Sequence, residues 1–274
     1  MSRYYDFFCP VRLMAGEQAL EQLPDELMAL GARRPLLLTD KGVGGSGLAT
    51  LLANVLAEGG LPVAAIWDEI PADSSTAVVE RIATRWRELG CDSLVALGGG
   101  SVIDTAKAVN ILVTLGGERL LDHAGAGCLT RPLKPLAAVP TTAGTGSEVT
   151  LVAVIRDEGS GRKVPFTSPF LLPQLAVLDP RLTQGLPLPI TAATAMDAMT
   201  HAIEAFIGNG KNPVSDALAL MAVEKIADAL PRVLLAPEDK ALRLQLAEGS
   251  TLAGMAFSNS MVGLVHALGH SLGA

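Results

Sequence analysis

The sequence has 274 residues, of which 49% are hydrophobic and 18% charged, a balance that supports a substantial core and excludes a disordered chain. Against 28 acidic residues stand 21 basic ones, giving a net charge of −7, and aromatics make up only 4%. With no basic stripe to track phosphates and little material for base stacking, nucleic acid is excluded as a partner. The 3 cysteines, Cys9, Cys91 and Cys128, are far apart and in no CxxC pair, which fits a reducing compartment. The N-terminal run MSRYYDFFCPVRLMAG carries an acidic residue and a proline where a signal peptide would be uniformly apolar. No run approaches about 18 consecutive apolar residues, so no membrane span is expected. These features predict a soluble, cytoplasmic protein.

In chain order, Pro35–Thr39 (PLLLT) reads as a buried strand closed by a turn over Asp40–Gly45. Leu48–Glu58 has apolar residues at helical spacing, Pro62–Trp67 reads as a strand, and Thr76–Leu89 as a helix. Ser93–Leu97 is a third strand, running into Gly98-Gly99-Gly100 and a helix over Ser101–Leu112; Leu136–Val139 is a fourth, ending at Pro140. Short apolar strands alternating with helices predict an α/β unit with a parallel sheet covered on both faces. From Leu186 onward the pattern is helical, over Thr191–Ile207, Pro213–Leu230, Lys240–Ser258 and Met261–Gly273. We therefore expect an α/β domain over residues 1–187 and an all-helical domain over 188–274. The methionines and the apolar stripe of 213–230 read as core.

Four runs carry chemistry, the last two as a pair. In SLVALGGGSVIDTAKA, three glycines follow a strand and open a helix, whose unpaired N–H groups and positive dipole end suit a pyrophosphate. The spacing matches neither GxGxxG nor the phosphate-loop pattern, and a plain tight turn capped by Ser101 is the other reading. PTTAGTGSE places three threonines, two glycines and a serine directly after a strand, at the sheet end where open α/β folds bind ligands. In the paired runs, AMDAMTHAIEA sets Asp197 and His201 at i and i+4 on one helix face, and LVHALGHSLGA does the same for His266 and His270. A carboxylate and imidazoles on facing helices make a site for a divalent transition metal. His123 has no such partner and reads as a loop histidine. Asp40, at the end of the first strand, is either a ribose acceptor or a turn-forming residue. Lys163 is either a ribose contact or a solvated loop charge.

Together GGGSVIDTAKA, PTTAGTGSE, MDAMTHAIEA and GLVHALGHSLGA, in that order, resemble the iron-containing (group III) alcohol dehydrogenase family over almost the whole chain. The resemblance implies an N-terminal, Rossmann-like dinucleotide-binding domain and a helical metal-binding domain, and the reaction class of an NAD-linked, metal-dependent alcohol dehydrogenase or aldehyde reductase. Hydride would pass between nicotinamide and a small alcohol or aldehyde, with Fe²⁺, or Zn²⁺ in its place, acting on the substrate oxygen. It implies that Gly98, Gly99, Gly100 and Ser101 hold the pyrophosphate, that Thr141, Thr142 and Thr145 line the rest of the cofactor site, and that Asp40 favours NAD over NADP. Asp197, His201 and His266 carry over as metal ligands, and His270 as a residue near the nicotinamide and the candidate for proton relay. A homodimer is also implied, with the apolar YYDFF run pairing as a strand across it. The family's fourth ligand is a histidine beyond the position of Ala274, and family members continue with further helices, so a C-terminally truncated member is expected. Many relatives have Pro-Asn-Pro-Thr where this chain has Pro71-Ala72-Asp73-Ser74, so the cofactor contact of that asparagine does not carry over. The alternatives are a lyase resembling dehydroquinate synthase, which regenerates its cofactor within each turnover, and a nucleotide-binding fragment without turnover.

Overall fold

A computed structural model of the chain describes residues 4–125 and 127–272, with the side chains of 270–272 outside that description. Its strands in chain order are β1 (Arg12–Ala15), β2 (Pro35–Leu38), β3 (Ala65–Trp67), β4 (Ser93–Gly98), β5 (Leu136–Pro140), β6 (Val152–Arg156), β7 (Lys163–Thr167) and β8 (Leu175–Leu178). Six of them form one sheet in the order β1-β8-β5-β4-β2-β3, with every pairing parallel. β6 and β7 form a separate antiparallel ribbon.

β2, β4, β5 and β8 are buried at every position, as a sheet covered on both faces requires. Successive side chains point to opposite faces. Leu36, Leu38, Leu94, Ala96, Leu136 and Ala138 pack with residues of α4 (Thr76–Glu88) and α5 (Gly100–Leu115). Leu37, Val95, Leu97, Ala137, Val139 and Val177 pack on the other face with α1 (Leu23–Ala29) and α3 (Leu48–Glu58). Between β2 and α3 lies α2 (Lys41–Gly45), where a turn is expected from sequence; Asp40 caps it by accepting from the Val43 N–H at 2.9 Å.

The helical part consists of α6 (Leu188–Ile207), α7 (Pro213–Leu235), α8 (Lys240–Ser258) and α9 (Leu264–Leu272). Its core is dominated by alanines, among them Ala195, Ala198, Ala202, Ala219, Ala222 and Ala229, which let the helix backbones approach closely. α7 starts on a capping box between Asn212 and Ser215. It continues past the expected end at Leu230 and through Pro231, because Val233 is buried against the same core. The methionines divide: Met14, Met28 and Met199 pack against the cores as the sequence reading expects, whereas Met196, Met221 and Met261 are 52%, 51% and 63% exposed. Met196 and Met221 lie on faces of α6 and α7 turned away from the alanine core, and Met261 lies in the connection between α8 and α9. The YYDFF run contributes no strand among the described residues, since the first strand begins at Arg12.

Candidate active site

The direction of strand order reverses between β2 and β4. From β2 the chain steps outward to the edge strand β3, then returns with β4 on the other side of β2. A crevice opens at such a switch point beyond the carboxyl ends of the strands. Asp40 lies at the end of β2, Gly98-Gly99-Gly100 at the end of β4, and Thr141 at the end of β5. The sequence motifs on these three connections are thus brought together.

The two loops are built against each other. Thr141 donates its N–H to the Gly98 carbonyl at 3.1 Å. A Cβ on Gly100 would fall 2.6 Å from the Thr145 side chain, and one on Gly99 would fall 3.3 Å from the Thr142 hydroxyl. Side chains in the glycine turn would therefore drive the threonine loop away. Gly99 is the N-cap of α5 and offers no side-chain acceptor, so the first N–H groups of the helix face the crevice without an internal cap. Ser101 does not cap the helix; its hydroxyl donates to the Ala72 carbonyl. Lys163 sits on β7 and forms an ion pair with Asp73 at 3.5 Å, in the same 71–74 segment that Ser101 holds. His123 bonds the Gly116 carbonyl at 3.0 Å through its ring and takes no part in the crevice.

The second group lies between α6 and α9. Ligand-type atoms of Asp197, His201 and His266 lie within 4.8 Å of one another. Nδ1 of His201 is 3.8 Å from Asp197 Oδ2, and Nε2 of His266 is 3.5 Å from Asp197 Oδ1. The two imidazoles stack at 4.1 Å, and Phe257 stacks on the far side of His201 at 4.3 Å. His201 is buried, and its Nδ1 has no hydrogen-bond partner. A buried orphan nitrogen facing a carboxylate and a second imidazole fits a divalent cation, which would satisfy all three at once. Burial pushes the His201 imidazole down to about 4, with the neighbouring His266 adding to the effect and Asp197 opposing it. A ring held neutral in this way is suited to coordination. His266 is pushed up instead, by hydrogen bonding to Asp197 ahead of burial, which opposes it, and by Glu204. The His270 backbone continues α9, while its side chain lies outside the described residues.

Two sets of residues at the site have no counterpart in the sequence reading. One is Glu204, which contacts His266. The other is a buried polar cluster behind the loops. Asp104 accepts from the Ser147 hydroxyl at 2.5 Å and the Val154 N–H at 2.9 Å. Lys107 donates to the Thr150 and Val152 carbonyls at 2.8 and 2.9 Å, and Glu148 accepts from Thr251 on α8 at 2.7 Å. Burial pushes Lys107 down to about 8, against the pull of Asp104 and Glu148. Charged residues in the apolar helix run VIDTAKAVNIL are the signal that could have revealed this cluster.

Comparison with known proteins bears on this geometry. The model of the iron-containing alcohol dehydrogenase family matches residues 10–180, and that of the family's C-terminal region matches 191–274. The chain is 38% identical to the NAD-dependent methanol dehydrogenase of Bacillus methanolicus, over 98% of this chain and 70% of that protein. It is 44% identical to the 4-hydroxybutyrate dehydrogenase of Cupriavidus necator, over 93% of this chain and 66% of that protein. Among solved structures, a 1,3-propanediol oxidoreductase superposes with a TM-score of 0.95 at 38% identity, over 99% of this chain and 70% of that one. The sulfoacetaldehyde reductase of Bifidobacterium kashiwanohense in complex with NAD⁺ gives 0.91 at 31% identity, over 99% and 71%. With family models matching both the α/β and the helical part, the chain belongs to the iron-containing alcohol dehydrogenase family and is an oxidoreductase of that family.

Proposed function

We propose that the protein is an NAD-linked, metal-dependent alcohol dehydrogenase or aldehyde reductase acting on small substrates. The observation that carries the reading is the convergence of Asp197, His201 and His266 within 4.8 Å, with the His201 Nδ1 buried and unpartnered. These three residues would hold the metal, Fe²⁺ or Zn²⁺ in its place. When bound, the metal supplies Lewis-acid polarisation of the substrate oxygen. The glycine turn and the α5 N-terminus would hold the pyrophosphate, with Thr141, Thr142 and Thr145 lining the crevice and Asp40 accepting from the adenosine ribose. Lys163, fixed by Asp73, borders that region from the ribbon. His270, one turn beyond His266 in the motif, is the candidate for proton relay. NAD as cofactor is supported by the named relatives, one of them NAD-dependent and one bound to NAD⁺.

A homodimer fits the exposed Tyr4, Tyr5 and Phe8, which precede the edge strand β1 in the chain. A cytoplasmic location fits three cysteines that form no disulfide. No described helix is long and apolar enough to cross a membrane. The test is NADH oxidation with short aldehydes after loading with Fe²⁺, together with metal analysis of the purified protein. We expect turnover with close to one metal per chain, and loss of both in His201→Ala. Absence of metal uptake and of turnover would overturn the reading. Net consumption of NADH separates it from a lyase that regenerates its cofactor.

A further inference from the structure

Glu204 lies seven residues beyond Asp197 on α6, two turns along the same helix face, and is 4% exposed. It accepts the Gly263 N–H at 2.9 Å and the Val265 N–H at 2.6 Å, with the His266 N–H at 3.4 Å. Its Oε2 also lies 2.6 Å from Nδ1 of His266. The fit is close: a Cβ on Gly263 would come within 2.9 Å of Glu204 Oε1. One buried carboxylate thus takes up the leading N–H groups of α9 and one ring nitrogen of the histidine in its first turn.

An ionised carboxylate only accepts, so the contact at 2.6 Å requires the hydrogen on Nδ1. In the neutral imidazole the lone pair then belongs to Nε2, the nitrogen that faces Asp197 at 3.5 Å. Ligating histidines generally need such a partner on the nitrogen that does not bind metal, because it fixes both tautomer and ring orientation.

We propose that Glu204 is the positioning residue of the metal centre: it docks the start of α9 and holds His266 with Nε2 presented to Asp197 and His201. The inference rests on the metal reading of that cluster. Glu204→Gln separates the roles, because its size is kept while one end of the group becomes an amide. Placed at Oε2, the amide oxygen serves the Gly263 N–H and the ring but sets the NH₂ group against the Val265 N–H; placed at Oε1, it serves Val265 alone. The NH₂ group that faces the other side either opposes the α9 N–H groups or turns the His266 ring to the Nε2–H form.

The experiment titrates Co²⁺ into the metal-free protein by calorimetry, with NAD binding and the unfolding midpoint as controls. Nitrogen-15 NMR of the histidine side chains reports the tautomer before any metal is added. We expect wild type to carry the proton on Nδ1 of His266, and Glu204→Gln to bind Co²⁺ about 10–100-fold more weakly with NAD affinity retained. Glu204→Asp, which keeps the charge but withdraws it, should fall between. Equal Co²⁺ affinity in wild type and Glu204→Gln would overturn the role of Glu204 while leaving the metal site standing. Wild type that takes up no Co²⁺ would overturn the metal reading and this inference with it. Should Glu204→Gln not fold, the wild-type tautomer decides, and a proton on Nε2 overturns the proposal.

Discussion

Asp40 has two tasks to reconcile. Its Oδ1 caps α2 through the Val43 N–H, which is the turn role expected of an acidic residue before Lys-Gly. That bond engages only one of its two oxygens, and the residue is half-buried at the mouth of the switch-point crevice. A 2′-phosphate brought there would place like charge against the carboxylate in a partly desolvated setting, at a cost on the order of several kcal/mol. We expect strong preference for NAD, and Asp40→Gly should shift the ratio of kcat/KM values toward NADP by about tenfold or more, each factor of ten being about 1.4 kcal/mol. The NAD activity should fall only modestly. An unchanged ratio would make Asp40 a cap and nothing more. The candidate ligands were legible in the sequence because an i, i+4 pair on each of two helices is a local pattern. Glu204, in the same run AMDAMTHAIEA, was not. Its partners lie at 263–266, some 60 residues further on, and no spacing in the sequence announces them.

At the scale of elements, the loop after β5 is shaped by packing as much as by any ligand. Gly146 has φ +62, and a Cβ there would lie 2.6 Å from the Gly254 Cα on α8; a Cβ on Gly254 would in turn lie 2.9 Å from the Gly146 backbone. Two glycines thus let the hydroxyl-rich loop rest directly on the helical part. Gly144 does the same against Thr194 on α6, where a Cβ would meet the side chain at 2.8 Å. Besides the Val149 Cγ2 at 2.8 Å, the atoms in the way at Gly254 are the Cα and carbonyl oxygen of Gly146, so a methyl group cannot be absorbed by a rotamer change alone. Gly254→Ala should cost about 1–3 kcal/mol in urea unfolding and weaken NAD binding, because Thr141, Thr142 and Thr145 would move with the loop. A mutant with wild-type stability and wild-type NAD affinity would show that the loop yields without consequence. Helices such as Leu48–Glu58 and Lys240–Ser258 were legible to the residue, since a long periodic stripe resists ambiguity. β1, β6, β7 and β8 were not predicted. β1 is an edge strand with three of four positions exposed, and β6 and β7 form a two-stranded ribbon whose buried positions alternate with partly exposed ones, so none shows a continuous buried apolar run. β8 is a short buried run whose flanking prolines, Pro173 and Pro180, resemble loop punctuation.

Across the whole molecule, one buried cluster ties the parts that form the crevice. Lys107 on α5 holds the Thr150 and Val152 carbonyls, Asp104 holds Ser147 and Val154, and Glu148 reaches Thr251 on α8. The glycine turn, the threonine loop, the β6–β7 ribbon and the helical part therefore meet at one set of charges. Lys107→Met would leave Asp104 and Glu148 buried without a cation and would take a donor from the Thr150 and Val152 carbonyls. We expect a loss of about 3–5 kcal/mol near neutral pH, in keeping with the breaking of other buried pairs. The loss should also depend on pH with a definite sign. The folded chain releases the Lys107 proton at about 8, whereas the unfolded chain keeps it to near the ordinary 10.5. Between those values the unfolded state binds more protons, so this group adds stability as pH rises, in total on the order of 3 kcal/mol. The other titrating groups, Asp104 and Glu148 excepted, are shared by wild type and mutant and largely drop out of their difference. Those two lose the pull of Lys107 in the mutant and rise, which costs the mutant stability as pH rises and so acts in the same direction. Urea unfolding at about pH 7 and about pH 10 should therefore show the wild type pulling further ahead of Lys107→Met at the higher pH. A gap that narrows instead would mean that the attraction of Asp104 and Glu148 outweighs the burial of Lys107, and that the cluster stabilises the fold through its charge.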